Sequence, residues 1–273
     1  GVVHGKLSAN GRRNGIVSFV HAKTGEELAH GVGVLNLYRL FSSNRRFGDA
    51  ARSWPVQTKL LSDGSVEVLY PSTDERPFEI RSIYHLSAAN AVDLQIEVTP
   101  AEDLPEFELF QSSYFNPAMT GRIYVKPPFV SQGPPKFLSP DYHDMIAGTY
   151  LMFPRDEAAI RMIHDGRWRC PPHPVQWSFS QWMAAPLAVR TDPKSGVTAA
   201  LMAPVEDCFA LAAPYNRTPP DGIAGHGSLY FSLFGRDLPK SKTARTRMRF
   251  VVLDGFDTDQ VVQSYAHFAT SKN

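Results

Sequence analysis

The stretch that decides the fold is Phe78-Glu-Ile-Arg-Ser-Ile-Tyr-His-Leu-Ser-Ala-Ala-Asn-Ala-Val-Asp-Leu-Gln-Ile-Glu-Val98. Apolar and polar residues alternate in its two halves, 78–86 and 91–98, which is the pattern of a β-strand with one buried face. The segment Ser87-Ala-Ala-Asn90 that joins the halves is short enough to be a turn. Neighbouring strands joined by a tight turn pair antiparallel, so the stretch predicts a β-hairpin.

The same pattern recurs on both sides of this hairpin. Asp63-Gly64, a favoured tight-turn pair, separates the runs 56–61 and 65–70, and Thr191–Gly196 separates 186–191 from 197–202. Short strands that alternate with turn signals predict an all-β sandwich or barrel with antiparallel neighbours. Further β-rich runs are 15–20, 33–41, 107–115, 149–153, 158–163, 208–212, 228–234 and 243–253.

One segment carries the periodicity of a helix instead. Apolar residues recur at helical spacing from Val261 to Phe268, and Asp257 with Gln260 forms a variant of the capping box that begins many helices. We therefore predict one amphipathic helix from Asp257 to Ala269, packed against a sheet.

The composition is that of a globular protein and excludes several classes. The 273 residues are 43% hydrophobic and 20% charged, which suits a folded domain. The formal net charge is only +1, and no apolar run reaches the roughly 18 residues that cross a bilayer. We therefore expect neither a nucleic acid nor a membrane as partner. The sequence starts with Gly1 instead of Met, which leaves export open.

No internal repeat or change of composition marks a boundary, so residues 1–273 are predicted to form a single domain. Cys170 and Cys208 do not make a disulfide framework, and two inert thiols are favoured over one bridge. Two proline-rich stretches, 126–136 and 166–176, show neither strand nor helix periodicity. Ordered loops of this kind often carry binding sites.

The sequence gives no sign of a cofactor or metal. Glycine-rich nucleotide loops, the G-x-S-x-G elbow and the H-E-x-x-H zinc motif are all absent. The spacing of His143, His164 and His173 matches no metal-ligand motif. We expect no cofactor and no bound metal.

Two candidate groups contain titratable side chains. His143 lies beside Asp144, and a carboxylate next to an imidazole suits acid–base chemistry, although a solvated loop has the same sequence. Glu206 follows the predicted strand 197–202, where a carboxylate can act as a general base or simply order a turn.

Another candidate group lies in and just after the second proline-rich stretch. Arg169, His173 and Trp177 combine a guanidinium, an imidazole and an indole within nine residues. Aromatic rings stack on the C–H faces of sugars, and arginine binds hydroxyl or carboxylate groups with a fork of donors. The alternative is that these side chains simply fill the core.

The sequence Phe110-Gln-Ser-Ser-Tyr-Phe-Asn-Pro117 resembles a segment of the galactose mutarotase family. The runs Ile83–Pro100 and Ser228–Pro239 are also similar to segments of that family. The resemblance implies a large β-supersandwich that spans almost the whole chain. It also implies that Tyr114 and Asn116 lie on the floor of a sugar-binding cleft.

The resemblance departs from the family at a catalytic position. Ser112 stands where the mutarotases have a catalytic histidine, and a serine hydroxyl cannot replace an imidazole in proton transfer near neutral pH. Glu206 is the counterpart, in sequence order, of the family's general base. Arg46 is similar to an early arginine that touches the sugar. The resemblance thus implies the fold and a carbohydrate ligand, without efficient mutarotase activity.

The ligand that the sequence predicts is a sugar or an oligosaccharide, recognised or converted in the open cleft of the larger sheet. In the catalytic interpretation, His143 or His173 is the acid and Glu206 or Asp144 the base of a sugar isomerase, epimerase, lyase or hydrolase. The alternative is a non-catalytic sugar-binding or assembly module. The residues predicted to border one cleft are His143, Arg169, His173 and Trp177, with Tyr114 and Asn116 on its floor.

Overall fold

The computed structural model describes residues 2–10, 13–43, 45–128, 130–141, 150–216 and 227–271. In chain order the strands are β1 (Val3–Ala9), β2 (Asn14–His21), β3 (Glu26–Glu27), β4 (Asn36–Ser42), β5 (Arg45–Arg46), β6 (Gln57–Leu60), β7 (Val66–Tyr70), β8 (Phe78–Ala88), β9 (Ala91–Pro100), β10 (Leu104–Tyr114), β11 (Thr120–Val125), β12 (Lys136–Leu138), β13 (Tyr150–Pro154), β14 (Trp177–Phe179), β15 (Met183–Thr191), β16 (Thr198–Met202), β17 (Cys208–Pro214), β18 (Ser228–Leu238) and β19 (Ala244–Leu253). The α-helices are α1 (Glu157–Ile163) and α2 (Thr258–Thr270), and single 3-10 turns lie at Ala51–Ser53 and Arg167–Arg169.

The strands form two large sheets and one small one. The nine-stranded sheet has the order β12-β11-β15-β16-β19-β9-β8-β7-β6, and the seven-stranded sheet has the order β14-β13-β17-β18-β10-β4-β5. Neighbours in both are antiparallel, except for the parallel pair β13 and β14. A three-stranded sheet, β1-β2-β3, packs beside them. The predicted all-β antiparallel architecture is confirmed.

The main core lies between the two large sheets. Phe78 of the nine-stranded sheet packs on Phe107 of the seven-stranded sheet, with ring centroids 5.7 Å apart, and Phe107 packs at the same distance on Phe234. All three rings are buried, and burying each such side chain stabilises the fold by roughly 1.5–3 kcal/mol. These interdigitated side chains fix the two sheets face to face.

The predicted hairpins are confirmed. Strands β8 and β9 pair along most of their length, from Phe78 opposite Pro100 to Ala88 opposite Ala91. Strands β6 and β7 meet at the Asp63-Gly64 turn, where Gly64 adopts φ +84, a backbone angle that favours glycine. The turn between β15 and β16 is closed by the Asp192 carboxylate.

The predicted C-terminal helix is also confirmed, with a shift of one residue. Asp257 is its N-cap, and its carboxylate accepts the Gln260 N–H at 2.8 Å. Val261 and Phe268 are buried on the outer face of the nine-stranded sheet, where they pack with Leu187 and other apolar residues. The helix therefore packs on the outer face of the larger sheet, in which the sequence predicted an open cleft, whereas Tyr114 lies on β10 of the smaller, seven-stranded sheet.

The structure corrects one predicted strand. Residues 158–163 belong to helix α1, which begins after Asp156, whose carboxylate accepts the Ala159 N–H at 2.9 Å. Ala159 and Ile163 are four residues apart and share the buried face, so an apolar run that suggested a strand is an amphipathic helical turn. Residues 155–177, here called the covering segment, pack over the outer face of the seven-stranded sheet through Ala159, Ile163 and Trp168.

Both cysteines are free thiols. Cys208 is fully buried, and burial raises the pKa of its thiol, which agrees with an inert role. Cys170 is half-buried in the covering segment. Within the described ranges, no helix is long and apolar enough to cross a membrane.

Candidate functional site

A buried ion pair fastens the covering segment to the seven-stranded sheet. The Arg167 Nη1 lies 3.0 Å from Glu108 Oε2, and both side chains are 0% exposed. Arg167 also donates to Asp165 through Nε and Nη2. Burial lowers the pKa of the guanidinium, but the Glu108 and Asp165 carboxylates outweigh it, and the net pKa is raised. Burial raises the pKa of Glu108, partly offset by the Arg167 charge.

Two further arginines hold the backbone of this segment. Arg46 donates to the carbonyl oxygens of Pro172 and Gly48, and its Nη2 lies 3.0 Å from an Asp49 carboxylate oxygen. The Arg39 Nη1 donates to the His173 carbonyl at 3.0 Å. The sequence predicts that Arg46 binds substrate. In the structure, its side chain is only 3% exposed, and its N–H groups already donate to the oxygens named above. It positions the loop that carries His173.

Two of the predicted residues share a cavity. Arg169 and Trp177 line a space of about 500 Å³ on the covering segment, together with His164, Trp168 and Gln176. His173 is exposed in the same loop, and its backbone has φ +61. The covering segment thus brings Arg169, His173 and Trp177 to one side of the seven-stranded sheet.

Tyr114 lies on that same side, whereas the side chain of Asn116 is hydrogen-bonded within a turn. The Asn116 Oδ1 accepts the N–H of Ala118 at 3.0 Å, and its amide nitrogen lies 3.5 Å from a Glu26 carboxylate oxygen. The side chain therefore orders the chain after β10 and its contact with the three-stranded sheet.

Glu206 is not brought to this group. It is exposed just before β17, where its carbonyl accepts from Arg155. Tyr150 lies opposite Pro214, at the other end of β17. Six strand residues separate Cys208 from Pro214, so Glu206 lies roughly 20 Å from that end of the sheet. The predicted residues His143 and Asp144 lie outside the described residues.

Ser112 occupies the centre of the outer face. It lies opposite Tyr230 in the β10–β18 ladder, so both side chains point to the same side of the sheet. Ser112 is fully buried, and its hydroxyl donates to Asn36 Oδ1 at 2.7 Å. The position that matches the family's catalytic histidine is therefore closed off by its neighbours.

Ser112 lies beside a cluster of which the sequence singled out only Tyr114. We call it the tyrosine–arginine face, formed by Tyr38, Tyr114, Tyr150, Tyr230, Arg39 and Arg52.

Three of the four rings of this face pack around the fourth, that of Tyr230. The Tyr230 ring is 6.3 Å from Tyr38, 6.1 Å from Tyr114 and 6.4 Å from Tyr150, measured between centroids. The Tyr230 hydroxyl donates to the Tyr114 hydroxyl at 3.3 Å. Tyr38, Tyr114 and Tyr150 are half-buried, so the cluster reaches the surface.

The two arginines lie against Tyr38. The Arg52 guanidinium carbon is 4.4 Å from the centroid of that ring, and the Arg39 carbon is 4.9 Å from it. Arg39 Nη2 also donates to the Tyr38 hydroxyl at 3.1 Å. Two cations thus lie against one tyrosine ring of this face, and one of them donates to the hydroxyl group of that ring.

Three hydroxyl groups of this face, those of Tyr114, Tyr150 and Tyr230, have raised pKa values. Burial raises the pKa of Tyr150 to about 12, helped by Tyr114 and Tyr38 and opposed by the Arg39 charge. Burial likewise raises the pKa values of Tyr114 and Tyr230. These phenols are therefore hydrogen-bond donors at pH 7, and none of the three is a ready base.

Trp177 links the tyrosine–arginine face to the cavity of the covering segment. Its ring centroid is 5.7 Å from that of Tyr150 and 4.9 Å from that of Trp168. Trp177 also lines the cavity that Arg169 borders. The two regions form one continuous aromatic surface on the outer side of the seven-stranded sheet.

No protein-family model matches the sequence, and the search of curated proteins found no match. Solved structures do share its fold. The Slr1438 protein from Synechocystis sp. PCC 6803 has a TM-score of 0.52 and 12% identity over 92% of each chain. The GalM/aldose epimerase homologue from C. elegans has a TM-score of 0.52 and 9% identity, covering 93% of this chain and 96% of its own.

A proposed aldose 1-epimerase from Escherichia coli K12 has a TM-score of 0.51 and 14% identity, covering 93% of this chain and 96% of its own. At such identities the likeness concerns the fold alone. The large sheets and the C-terminal helix agree with the sandwich fold that the segment around Tyr114 indicated. The chain therefore has the galactose mutarotase-like β-supersandwich fold.

Proposed function

We propose that this protein binds a carbohydrate on the outer side of the seven-stranded sheet, at the tyrosine–arginine face. The observation that carries the proposal is the convergence of tyrosine hydroxyls and two guanidinium groups on a half-buried aromatic surface. Sugars match such a surface because their C–H faces pack on rings while their hydroxyl and ring oxygens accept from phenol and guanidinium donors.

The described residues fit the binding of a sugar better than its chemical conversion. Acid–base catalysis on a sugar needs two titratable groups on opposite sides of the reacting carbon. Glu206 lies at the far end of β17, and raised pKa values keep Tyr114 and Tyr150 protonated. A catalytic function would depend on His173 or on His143 and Asp144, and it remains the alternative.

The buried Ser112 supports the absence of efficient mutarotase activity. Its hydroxyl is fully buried and bonded to Asn36, so it neither reaches a ligand nor transfers a proton at neutral pH. We expect no acceleration of the anomer exchange of glucose or galactose, followed by polarimetry. Acceleration comparable to that of a mutarotase would contradict this expectation.

A binding screen on a glycan array, followed by calorimetry, tests the proposal. Tyr114→Phe and Tyr150→Phe each remove one hydroxyl from the face, and each is expected to weaken binding of the selected oligosaccharide about 3- to 10-fold. Tyr124→Phe is the matched control, because Tyr124 packs on Phe137 in the cluster under helix α2. No binding to any glycan, or equal losses in the control, would refute the proposal.

A further inference from the structure

The two arginines of the tyrosine–arginine face have no ion pair with any carboxylate that the structure describes. Among the described residues, neither Arg39 nor Arg52 forms an ion pair with Asp or Glu. By contrast, Arg46 pairs with Asp49, and the buried Arg167 pairs with Glu108. Within the part of the chain that the structure describes, two arginines of one surface thus have no carboxylate partner.

Both cations also keep unused donors. The Nε of Arg39 and the Nη1 of Arg52 are shielded from solvent and have no hydrogen-bond partner in the described part of the chain. Arg39 as a whole is only 4% exposed. A shielded guanidinium N–H without an acceptor destabilises the fold, so the described residues do not satisfy either cation in full.

The contacts to Tyr38 offset only part of this cost. A cation over a tyrosine ring gains about 0.5–2 kcal/mol, depending on how far it is desolvated. The tyrosine hydroxyls around the two arginines add further donors at neutral pH. Among the described residues, this surface therefore combines hydroxyl groups with the positive charge of two arginines.

We infer that the carbohydrate bound at this face is acidic, and that its carboxylate group is bound by Arg52, with the buried Arg39 beside it adding positive charge. The inference rests on the function proposed above and adds the class of sugar. The fork of guanidinium donors matches the two oxygens of a carboxylate, and the neighbouring phenols donate to the remaining lone pairs. The sugar ring packs on Tyr38, Tyr114 and Tyr150.

The test is calorimetric titration with uronic-acid oligosaccharides of several linkages, each paired with its carboxyl-reduced counterpart. The wild-type protein is expected to bind at least one acidic member roughly 10- to 100-fold more tightly than its reduced partner. Arg52→Met keeps the side chain's contact with Tyr38 but removes the charge, and it should abolish that preference. Arg52→Lys, which keeps the charge but not the fork, should retain only part of it.

The control is Arg245→Met, which removes a guanidinium paired with Glu97 on the other large sheet. It should leave the preference for the acidic sugar unchanged. Equal binding of acidic and reduced oligosaccharides, with Tyr114→Phe still weakening both, would overturn the acidic class and leave the proposed function standing. Binding to neither set would overturn the acidic class, and absence of binding to every glycan of the array would overturn the proposed function as well.

Discussion

Substituting Arg167 by methionine should destabilise the protein strongly, because the covering segment depends on it. The variant keeps the length of the side chain but leaves Glu108, which is 0% exposed, without its partner at 3.0 Å. Removing one partner of a buried ion pair costs about 3–5 kcal/mol. For a chain of this size, about 1 kcal/mol lowers the melting temperature by roughly 2–4 °C, so we expect a fall of roughly 6–20 °C.

The assay is urea unfolding of Arg167→Met, Glu108→Gln and the double variant, with exposed Arg245→Met as control. The stability losses of the two single variants should not add. The double variant should be more stable than the sum of the two single losses predicts. Without Arg167 the pKa of Glu108 rises further above its ordinary value, so stability should recover as the pH falls from 8 to about 5. A loss below about 1 kcal/mol, or one independent of pH, would refute the reasoning.

Three further outcomes are expected. Spectrophotometric titration should find Tyr150 ionising near pH 12. The contribution of Tyr150 to the free energy of unfolding should be complete below pH 10 and disappear as the pH rises towards 12. A melting temperature that stays constant across that pH range would contradict this. Asp257→Ala should lower the free energy of unfolding by about 1 kcal/mol, because it removes the cap of helix α2. Asp259→Ala should lower it by less, and thermal melting measures both variants. Gly235→Ala should cost roughly 1–3 kcal/mol, because φ is +61 and the new Cβ would meet Phe209; an unchanged melting temperature would contradict the strain.

Much of the fold could be predicted from local patterns. The alternation of residues 78–98 and the Asp63-Gly64 turn determine hairpins without reference to the rest of the chain. Asp257 and the apolar spacing that follows determine helix α2 in the same way. The local pattern gave a wrong prediction for residues 158–163. Six apolar or mixed residues suit a strand or a helix equally, and only the Asp156 cap indicates the helix.

The candidate site was harder to predict, since its residues come from strands distant in sequence. Tyr38, Tyr114, Tyr150 and Tyr230 lie on β4, β10, β13 and β18, and only the sheet order brings them together. Strand alternation could have predicted that Tyr38 and its neighbour Leu37 lie on opposite faces of the sheet, with Leu37 in the core. It could not show which strands are adjacent, or that the covering segment lies on this side.

The most direct measurement is tyrosine-selective isotope labelling, with each resonance assigned by a single Tyr→Phe variant and followed by NMR on addition of an acidic oligosaccharide. Carbohydrate binding at the tyrosine–arginine face predicts that the ring signals of Tyr38, Tyr114 and Tyr150 shift together, while that of Tyr124 beside helix α2 stays unchanged. Saturable binding that shifts Tyr124 and leaves the other three signals in place would contradict the assignment of the site.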